Sequence, residues 1–379
     1  MTVKTTKKVG PSWFWRLFVY LGCCKMSEQK QKSNKVSTST DRIKAATLNV
    51  SCDNHANRMV ENHGEQYNFK KRFDKQYDKL DSLGLDVIAL QEIRLKENLD
   101  YMKDKMKDKY TVHYFKNNSS TMSFNNCLCI RKDSQWTKID TKQYWTTLKD
   151  DIPALSKDPE ARVPQIYEKE IKGDPHGRCM GVTVLQHKTS QRKILVASVQ
   201  VVPFGETKAV QQKASLSLSG MARDITGEDC PVIIAGDFNI FNEDREGDTF
   251  EKIKEYANLN SLIEIPPKRL HIPSNGNKDD KIITDETKIG TFNPWSSDSY
   301  ADVVYKQPLG YSKLDTIFAS MSLECKEGVD VMPVSMDEGL NDPSNMSDEE
   351  RKSHDELRYI FKDKLASDHF LLSATFTLK

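Results

Sequence analysis

The run Val232-Ile233-Ile234-Ala235 is wholly apolar and passes at once into Gly236-Asp237-Phe238-Asn239. A run so short and so apolar is a strand covered on both faces, and the sudden acid and amide mark where it leaves the core. The pattern recurs along the chain. Leu85-Asp86-Val87-Ile88-Ala89-Leu90 leads into Gln91-Glu92, and Thr47-Leu48 leads into Asn49-Val50. Asp315 interrupts Lys313-Leu314-Asp315-Thr316-Ile317-Phe318, and Asp368-His369 precedes the last apolar stretch, from Phe370. One such strand end is a cap or a solvated loop. Five, each carrying Asn, Asp, Glu or His, imply a layered α/β fold whose strand ends gather at one edge, where ligands bind.

Strands are predicted over 43–50, 85–90, 126–131, 180–186, 193–202, 232–235, 314–319 and 370–378. Phe69, Phe73, Tyr77 and Leu80 recur at helical spacing and predict a helix that stops near Gly84. Further helices are predicted over 208–226 and 250–257. Three long polar stretches, 138–176, 266–312 and 335–364, read as surface loops of one domain spanning 41–379, because apolar runs resume after each.

Residues 1–40 differ. Lys4, Lys7 and Lys8 precede an apolar-aromatic run at 13–24, which carries Arg16 and ends in Cys23-Cys24, and a polar tract of linker-like composition follows from Ser27 to Thr40. The run reads as an interfacial helix making a peripheral membrane contact, with the cysteines as palmitate acceptors. A signal peptide and a terminus without a role are the rival readings. The 56 Lys+Arg and 55 Asp+Glu nearly cancel, which excludes a polybasic nucleic-acid coat but not a local basic groove. No stretch reaches the roughly 18 apolar residues of a membrane span. The eight cysteines include no C-x-x-C zinc pattern and read mostly as buried thiols. They point to a reducing compartment and an intracellular location, cytoplasmic or at a membrane surface, with secretion left open.

The polar strand ends suit one chemistry. Hard oxygen ligands fit Mg²⁺, or Mn²⁺, and Glu92 is the best single candidate ligand. A His beside an acid serves a phosphate or a proton transfer, and a second Asp fixes its tautomer. In Asp237-x-Asn239, the acid orients an attacking water while the amide donates to developing charge. The sequence has no G-x-S-x-G, P-loop or H-E-x-x-H to compete. Metal-assisted attack of water on a phosphate ester is the chemistry expected.

Taken in order, Leu48-Asn49-Val50, Leu90-Gln91-Glu92, Gly236-Asp237-Phe238-Asn239, Leu314-Asp315-Thr316-Ile317-Phe318 and Ser367-Asp368-His369 resemble the endonuclease/exonuclease/phosphatase superfamily. The resemblance covers about residues 42–379. It implies a DNase-like four-layer α/β sandwich, two packed β-sheets flanked by helices, with the site at one edge. It also implies roles: Glu92 binds Mg²⁺ with Asn49 beside it, and Asp368 completes that shell. Asp237 orients the water, Asn239 stabilises the transition state, and His369, held by Asp315, contacts the scissile phosphate. Arg178 matches, more weakly, a phosphate-binding Arg.

One position departs. Many relatives carry a His, some a Tyr, where this sequence has Gln200. Gln hydrogen-bonds a phosphate oxygen but delivers no proton, so the departure points to slower turnover or to substrates with good leaving groups. The inositol phosphatase blocks are not matched around Gly236 and Asp315. Phe292, Trp295, Tyr300, Tyr305 and Tyr311 either stack on unpaired bases or pack their loop against the body. The expected activity is a Mg²⁺-dependent phosphodiesterase, with nucleic acid favoured over phospholipid. A sphingomyelinase-like phospholipase C at a membrane surface and a catalytically weak phosphate-binding protein are the alternatives. The oligomeric state is not legible.

Overall fold

A computed structural model describes residues 41–117, 124–146, 177–203, 206–241, 244–245, 247–273, 281–292, 313–336, 341–348, 356–361 and 364–379. The expectations for residues 1–40, for Trp295, Tyr300, Tyr305 and Tyr311, and for most of the 138–176 stretch lie outside these. Among the described residues, no helix is long and apolar enough to cross a membrane.

In chain order the strands are β1 (Arg42–Asn49), β2 (Val87–Ile93), β3 (Tyr110–Phe115), β4 (Asn125–Arg131), β5 (Trp136–Trp145), β6 (Cys179–His187), β7 (Lys193–Gln200) and β8 (Val232–Asp237). They continue with β9 (Leu262–Glu264), β10 (Pro267–Ile272), β11 (Lys281–Ile283), β12 (Asp315–Ser320), β13 (Leu323–Glu324), β14 (Val329–Met332) and β15 (Leu371–Leu378). The helices are α1 (Asp53–His63), α2 (Phe69–Ser82), α3 (Lys96–Met106), α4 (Glu206–Leu216), α5 (Ala222–Thr226), α6 (Asp248–Leu259) and α7 (Glu356–Phe361).

The strands form two mixed sheets. One runs β11-β10-β14-β15-β1-β2-β4-β3, with β13 on β15, and the other runs β5-β6-β7-β8-β12-β9. Their facing sides share a core that includes Ala45, Val87, Ala89, Val196, Ile233, Ala235, Ile317 and Ala319. A second apolar cluster packs α2 and α3, through Phe73, Tyr77, Leu80 and Met102, on the outer face of the first sheet. A third packs Leu216, Phe250 and Ile253 on the outer face of the second. The result is the helix–sheet–sheet–helix sandwich expected, because strands apolar on both faces need cover on both.

The period of two along a strand positions the site. Counting outward by twos along the inner face, β1 presents Ala45, Thr47 and Asn49, and β2 presents Val87, Ala89 and Gln91. On the other sheet β7 presents Val196, Ser198 and Gln200, β8 presents Ile233, Ala235 and Asp237, and β12, read backwards, presents Ala319, Ile317 and Asp315. The inner face thus turns from apolar to polar at one edge of both sheets. Register aligns the ends: Asn49 pairs with Gln91, Gln200 with Asp237, and Asp237 with Asp315. A bridging layer lies just below. Thr47 Oγ1 donates to Gln91 Oε1 at 3.2 Å, and Gln91 Nε2 donates across to Ser198 Oγ at 3.1 Å.

Several elements differ from expectation. The helix predicted over 208–226 is broken: α4 ends at Leu216, a 3₁₀ turn covers Ser217–Met221, and α5 follows. Alternating serines account for the break. Ser215 and Ser217 hydroxyls bond the Gln211 and Ala214 carbonyls, and Ser219 bonds the Asn260 carbonyl, with Gly220 weakening the helix further. The stretches 138–176 and 266–312, expected as loops, contain most of β5 and all of β10 and β11. β5 and β11 are edge strands, largely solvent-facing, so their sequences are polar. α1, α3, α7, β3, β9, β13 and β14 were not predicted, and α7 lies in the 335–364 stretch expected as a loop.

Candidate active site

The polar edge collects side chains from both sheets, and all nine residues assigned to the site from the sequence lie there or against it. None of them is more than 8% exposed. Asn49 is central. Its Nδ2 lies 2.9 Å from Glu92 Oε1, 3.2 Å from Asp237 Oδ2 and 3.3 Å from His369 Nε2. Its Oδ1 accepts the Ser51 N–H at 3.0 Å. Asn49 therefore stands among the acids as a donor, with its oxygen turned away from them.

Glu92 reaches this group through an irregular backbone. By strand alternation it faces away from Gln91, but the β2–β4 register shifts between Leu90 and Ile93, and Glu92 takes φ 66°. A bulge of this kind re-aims a side chain. Glu92 Oε1 also accepts Gln200 Nε2 at 2.9 Å, and Oε2 accepts the Cys52 N–H at 2.8 Å. Gln200 Oε1 accepts in turn from Arg178 Nη1 at 3.3 Å. Burial lowers the Arg178 pKa, while Glu92 and Asp237 oppose that shift.

Asp237 closes β8 with Oδ1 accepting the Asn239 N–H at 2.9 Å. Asn239, at φ 50°, curls back so that Nδ2 donates to the Val201 carbonyl at 2.7 Å, and one amide hydrogen stays available. Burial pushes the Asp237 carboxyl up to about 7; His369 opposes this, and Asp315 and Glu92 add to it. His369 Nδ1 lies 2.8 Å from Asp315 Oδ2. Burial works against the imidazolium, but Asp315, Asp368 and Asp237 outweigh it and raise His369 well above its ordinary value. Burial raises Asp315 too, with His369 opposing. Asp368 comes in beside His369. Ser367 fixes that corner by donating to the Asn49 carbonyl at 2.7 Å and accepting the His369 N–H at 3.2 Å.

Asp237, Asp315 and His369 each offer a ligand atom, all within 4.8 Å of one another. Asp315 Oδ1 is buried without a hydrogen-bond partner. Crowded buried carboxylates with an unfilled oxygen are a donor set suited to a hard divalent cation.

Arg72, Gln76 and Thr291 support the site and were not singled out in the sequence; Phe292 was named only among the loop aromatics. Arg72 and Gln76 are fully buried beneath the site. Arg72 donates to the carbonyls of Val50, Ser51 and Ala366, and Gln76 also donates to Ala366. Their signal was present: both fall on the buried arc of the Phe69–Leu80 helix, where a charge needs a reason. Thr291 and Phe292 back the Asp315–His369 pair. Thr291 Oγ1 accepts the Asp315 N–H at 3.0 Å, and the Phe292 ring lies 4.8 Å from the imidazole. Phe292 is only 5% exposed, so it packs rather than offering a face to a base.

No family model matches the sequence, and no curated protein is similar to it by sequence. Solved structures are similar in fold. An endonuclease/exonuclease/phosphatase from Bacteroides vulgatus superposes with a TM-score of 0.55 at 15% identity, covering 89% of this chain and 99% of its own. The mannosyl-6-phosphatase Bt3783 of Bacteroides thetaiotaomicron gives 0.54 at 15%, covering 88% and 99%. ANGEL2, a 2′,3′-cyclic phosphatase in complex with adenosine-2′,3′-vanadate, gives 0.53 at 14%, covering 90% and 97%. By its two packed sheets, its layer order and these likenesses, the chain has the DNase-like fold of the endonuclease/exonuclease/phosphatase superfamily.

Proposed function

We propose that this chain hydrolyses phosphoric esters by in-line attack of water, with Mg²⁺ or Mn²⁺ as cofactor and a nucleic-acid phosphodiester as substrate. One observation carries the reading: Glu92, Asp237, Asp315 and His369 converge with Arg178 and Gln200 in one buried cluster at the polar edge of both sheets.

The donor set fits a divalent cation in two ways. The Asp237–Asp315–His369 group has the closest set of ligand atoms, but an ion there competes with the proton that joins His369 to Asp315. An ion held at Glu92, whose Oε2 accepts the Cys52 N–H, leaves the His369–Asp315 pair intact. We adopt Glu92 as the holding residue, with Asp368 completing the shell. A cation held by Glu92 and Asp368 would supply positive charge to the phosphoryl oxygens of the substrate.

The chain's own groups do the rest. Asp237, held by the Asn239 amide, accepts a hydrogen bond from the attacking water and orients it. His369 is kept cationic by Asp315 and donates from Nε2 to a phosphoryl oxygen. Asn239 offers its second amide hydrogen to the charge that builds in the transition state. Arg178 neutralises a further phosphoryl oxygen. Preference for nucleic acid draws support from the number of superfamily members that act on it and from the adenosine derivative bound by ANGEL2.

The test is a substrate panel with Mg²⁺: single-stranded DNA and RNA, duplex DNA, a 5′-phosphotyrosyl oligonucleotide and sphingomyelin vesicles, with Asp237→Ala protein as the blank. Cleavage of a nucleic acid, abolished by EDTA and absent from the blank, is the expected result. Cleavage of the vesicles alone would move the substrate to phospholipid. Silence from a folded protein on every substrate would overturn the enzyme reading.

A further inference from the structure

Gln200 lies between a buried cation and a buried carboxylate. Its Nε2 donates to Glu92 Oε1 at 2.9 Å and its Oε1 accepts from Arg178 Nη1 at 3.3 Å. The residue is 3% exposed, so neither end relies on water. Its strand end is fixed from both sides. Gln200 pairs with Asp237 across the β7–β8 register, and Ser198, two residues before it on the same face, is bonded by Gln91 of the opposite sheet.

A guanidinium and a carboxylate brought together out of water close into a bidentate pair. Such a pair at this site would leave Arg178 little capacity for a substrate's phosphoryl group and would fill the Glu92 oxygens that a cation needs. A carboxamide prevents this. It accepts from the cation at one end and donates to the anion at the other, and it does both at any pH because it does not titrate. Arg178 is held from other directions as well: Nη1 also donates to the Phe124 carbonyl at 3.3 Å, and the guanidinium lies 4.8 Å from the Phe124 ring centroid. With one nitrogen anchored in this way, the remaining donors of the fork stay available for a phosphoryl oxygen.

We infer that Gln200 is a positioning residue: it keeps Arg178 and Glu92 from pairing, holding the guanidinium for the substrate's phosphoryl group and the carboxylate for the cation. The inference rests on the phosphoesterase reading above. It assigns Gln200 no proton to deliver, and it makes the division between anion binding and cation binding the property this side chain controls.

The experiment is calorimetric titration of the full chain, first with Mg²⁺ alone and then with inorganic phosphate in saturating Mg²⁺, for wild type, Gln200→Leu and Gln200→Glu. Gln200→Glu is nearly isosteric and guards against a packing defect in the leucine variant; melting curves confirm that each is folded. Wild type is expected to bind both ligands. Gln200→Leu leaves Arg178 free to turn onto Glu92 and is expected to weaken both phosphate and Mg²⁺, phosphate by about tenfold. Gln200→Glu pairs Arg178 directly and crowds Glu92 with a second carboxylate, so phosphate weakens further while Mg²⁺ tightens. Phosphate affinity equal to wild type in both folded variants would overturn the inference and leave the phosphoesterase reading standing. Wild type that binds neither ligand would overturn both.

Discussion

His369 Nδ1 and Asp315 Oδ2 lie 2.8 Å apart although 54 residues separate them in the chain. The pairing follows from topology. Asp315 opens β12 on the inner face, and His369 closes the segment that enters β15 in the other sheet, so the contact spans the seam between the sheets. Thr291 joins both sides: its Oγ1 accepts the Asp315 N–H and its carbonyl accepts the Phe370 N–H at 2.7 Å. The carboxylate fixes a proton on Nδ1 and directs Nε2 into the site, where Asn49 lies 3.3 Å away.

Asp315→Asn therefore keeps the shape of the pair and removes its charge. The variant is expected to melt close to wild type while kcat falls about 10²- to 10⁴-fold, because His369 no longer holds its proton at neutral pH. Steady-state kinetics on the substrate found by the panel, with a melting curve alongside, check this. A kcat near wild type would mean that His369 works without its partner.

Gly236→Ala tests how tightly the sheet is closed beneath Asp237. A Cβ built on Gly236 stands 1.9 Å from the Val199 carbonyl oxygen, backbone against backbone in the parallel β7–β8 ladder. No flexible side chain is there to move aside, so a strand must shift. The expected cost is more than about 4 kcal/mol, seen as loss of soluble protein or a large fall in melting temperature. A variant that melts like wild type would show that the ladder yields locally.

Arg72→Lys tests the clamp beneath the site. Arg72 is 0% exposed and donates to Tyr67, Val50, Ser51 and Ala366 carbonyls at 2.8 to 3.0 Å. Two of the loops it joins carry Asn49 and Ser367-Asp368-His369. An ammonium cannot reproduce the planar fork, and a loss of about 2 to 4 kcal/mol is expected. Amide exchange should rise first at Ser51, Cys52 and 367–369, and kcat should fall more than KM rises. Uniform faster exchange across both sheets would make Arg72 a general stability residue instead.

Much of this site was legible because it obeys strand periodicity. Asp237, Asp315, Gln200 and Asn49 all sit two residues beyond a buried small or apolar side chain, and a period of two carries the inner face outward to them. Glu92 was legible as an acid at a strand end, but not its direction: alternation alone points it away from Gln91, and the bulge that turns it inward leaves no clear mark in the sequence. Thr291 was not legible as a support, and Phe292 only as one of several aromatics that either stack on bases or pack their loop. They sit in an irregular segment, and only the three-dimensional bridge between Phe292 and His369 shows what they hold. The edge strands β5 and β11 were lost for a related reason. One side of each faces solvent, so their sequences read as loops.

The protonation of Asp237 gives the metal-free protein a distinctive pH dependence. Its carboxyl rises from the ordinary 3.8 to about 7 on folding, chiefly through burial. Between those values the folded state holds a proton that the unfolded chain has released, so stability falls as pH rises across that window. Asp315, raised by burial, acts in the same sense. His369, held above its ordinary 6.5 by its acids, continues the trend: its contribution is complete below 6.5 and is lost as pH climbs through its folded value. Melting temperatures in EDTA should therefore decline from about pH 5 to pH 8, and Asp237→Asn should flatten the lower part of that decline. Added Mg²⁺ should raise the melting temperature of wild type most at the upper end, since a cation held at Glu92 binds more tightly once the neighbouring Asp237 has lost its proton and become negative. A melting temperature in EDTA that rises over this range, or a slope that Asp237→Asn leaves unchanged, would mean that the cluster is not the dominant titrating group. A Mg²⁺ effect that is equal at both ends would place the cation beyond the electrostatic reach of Asp237.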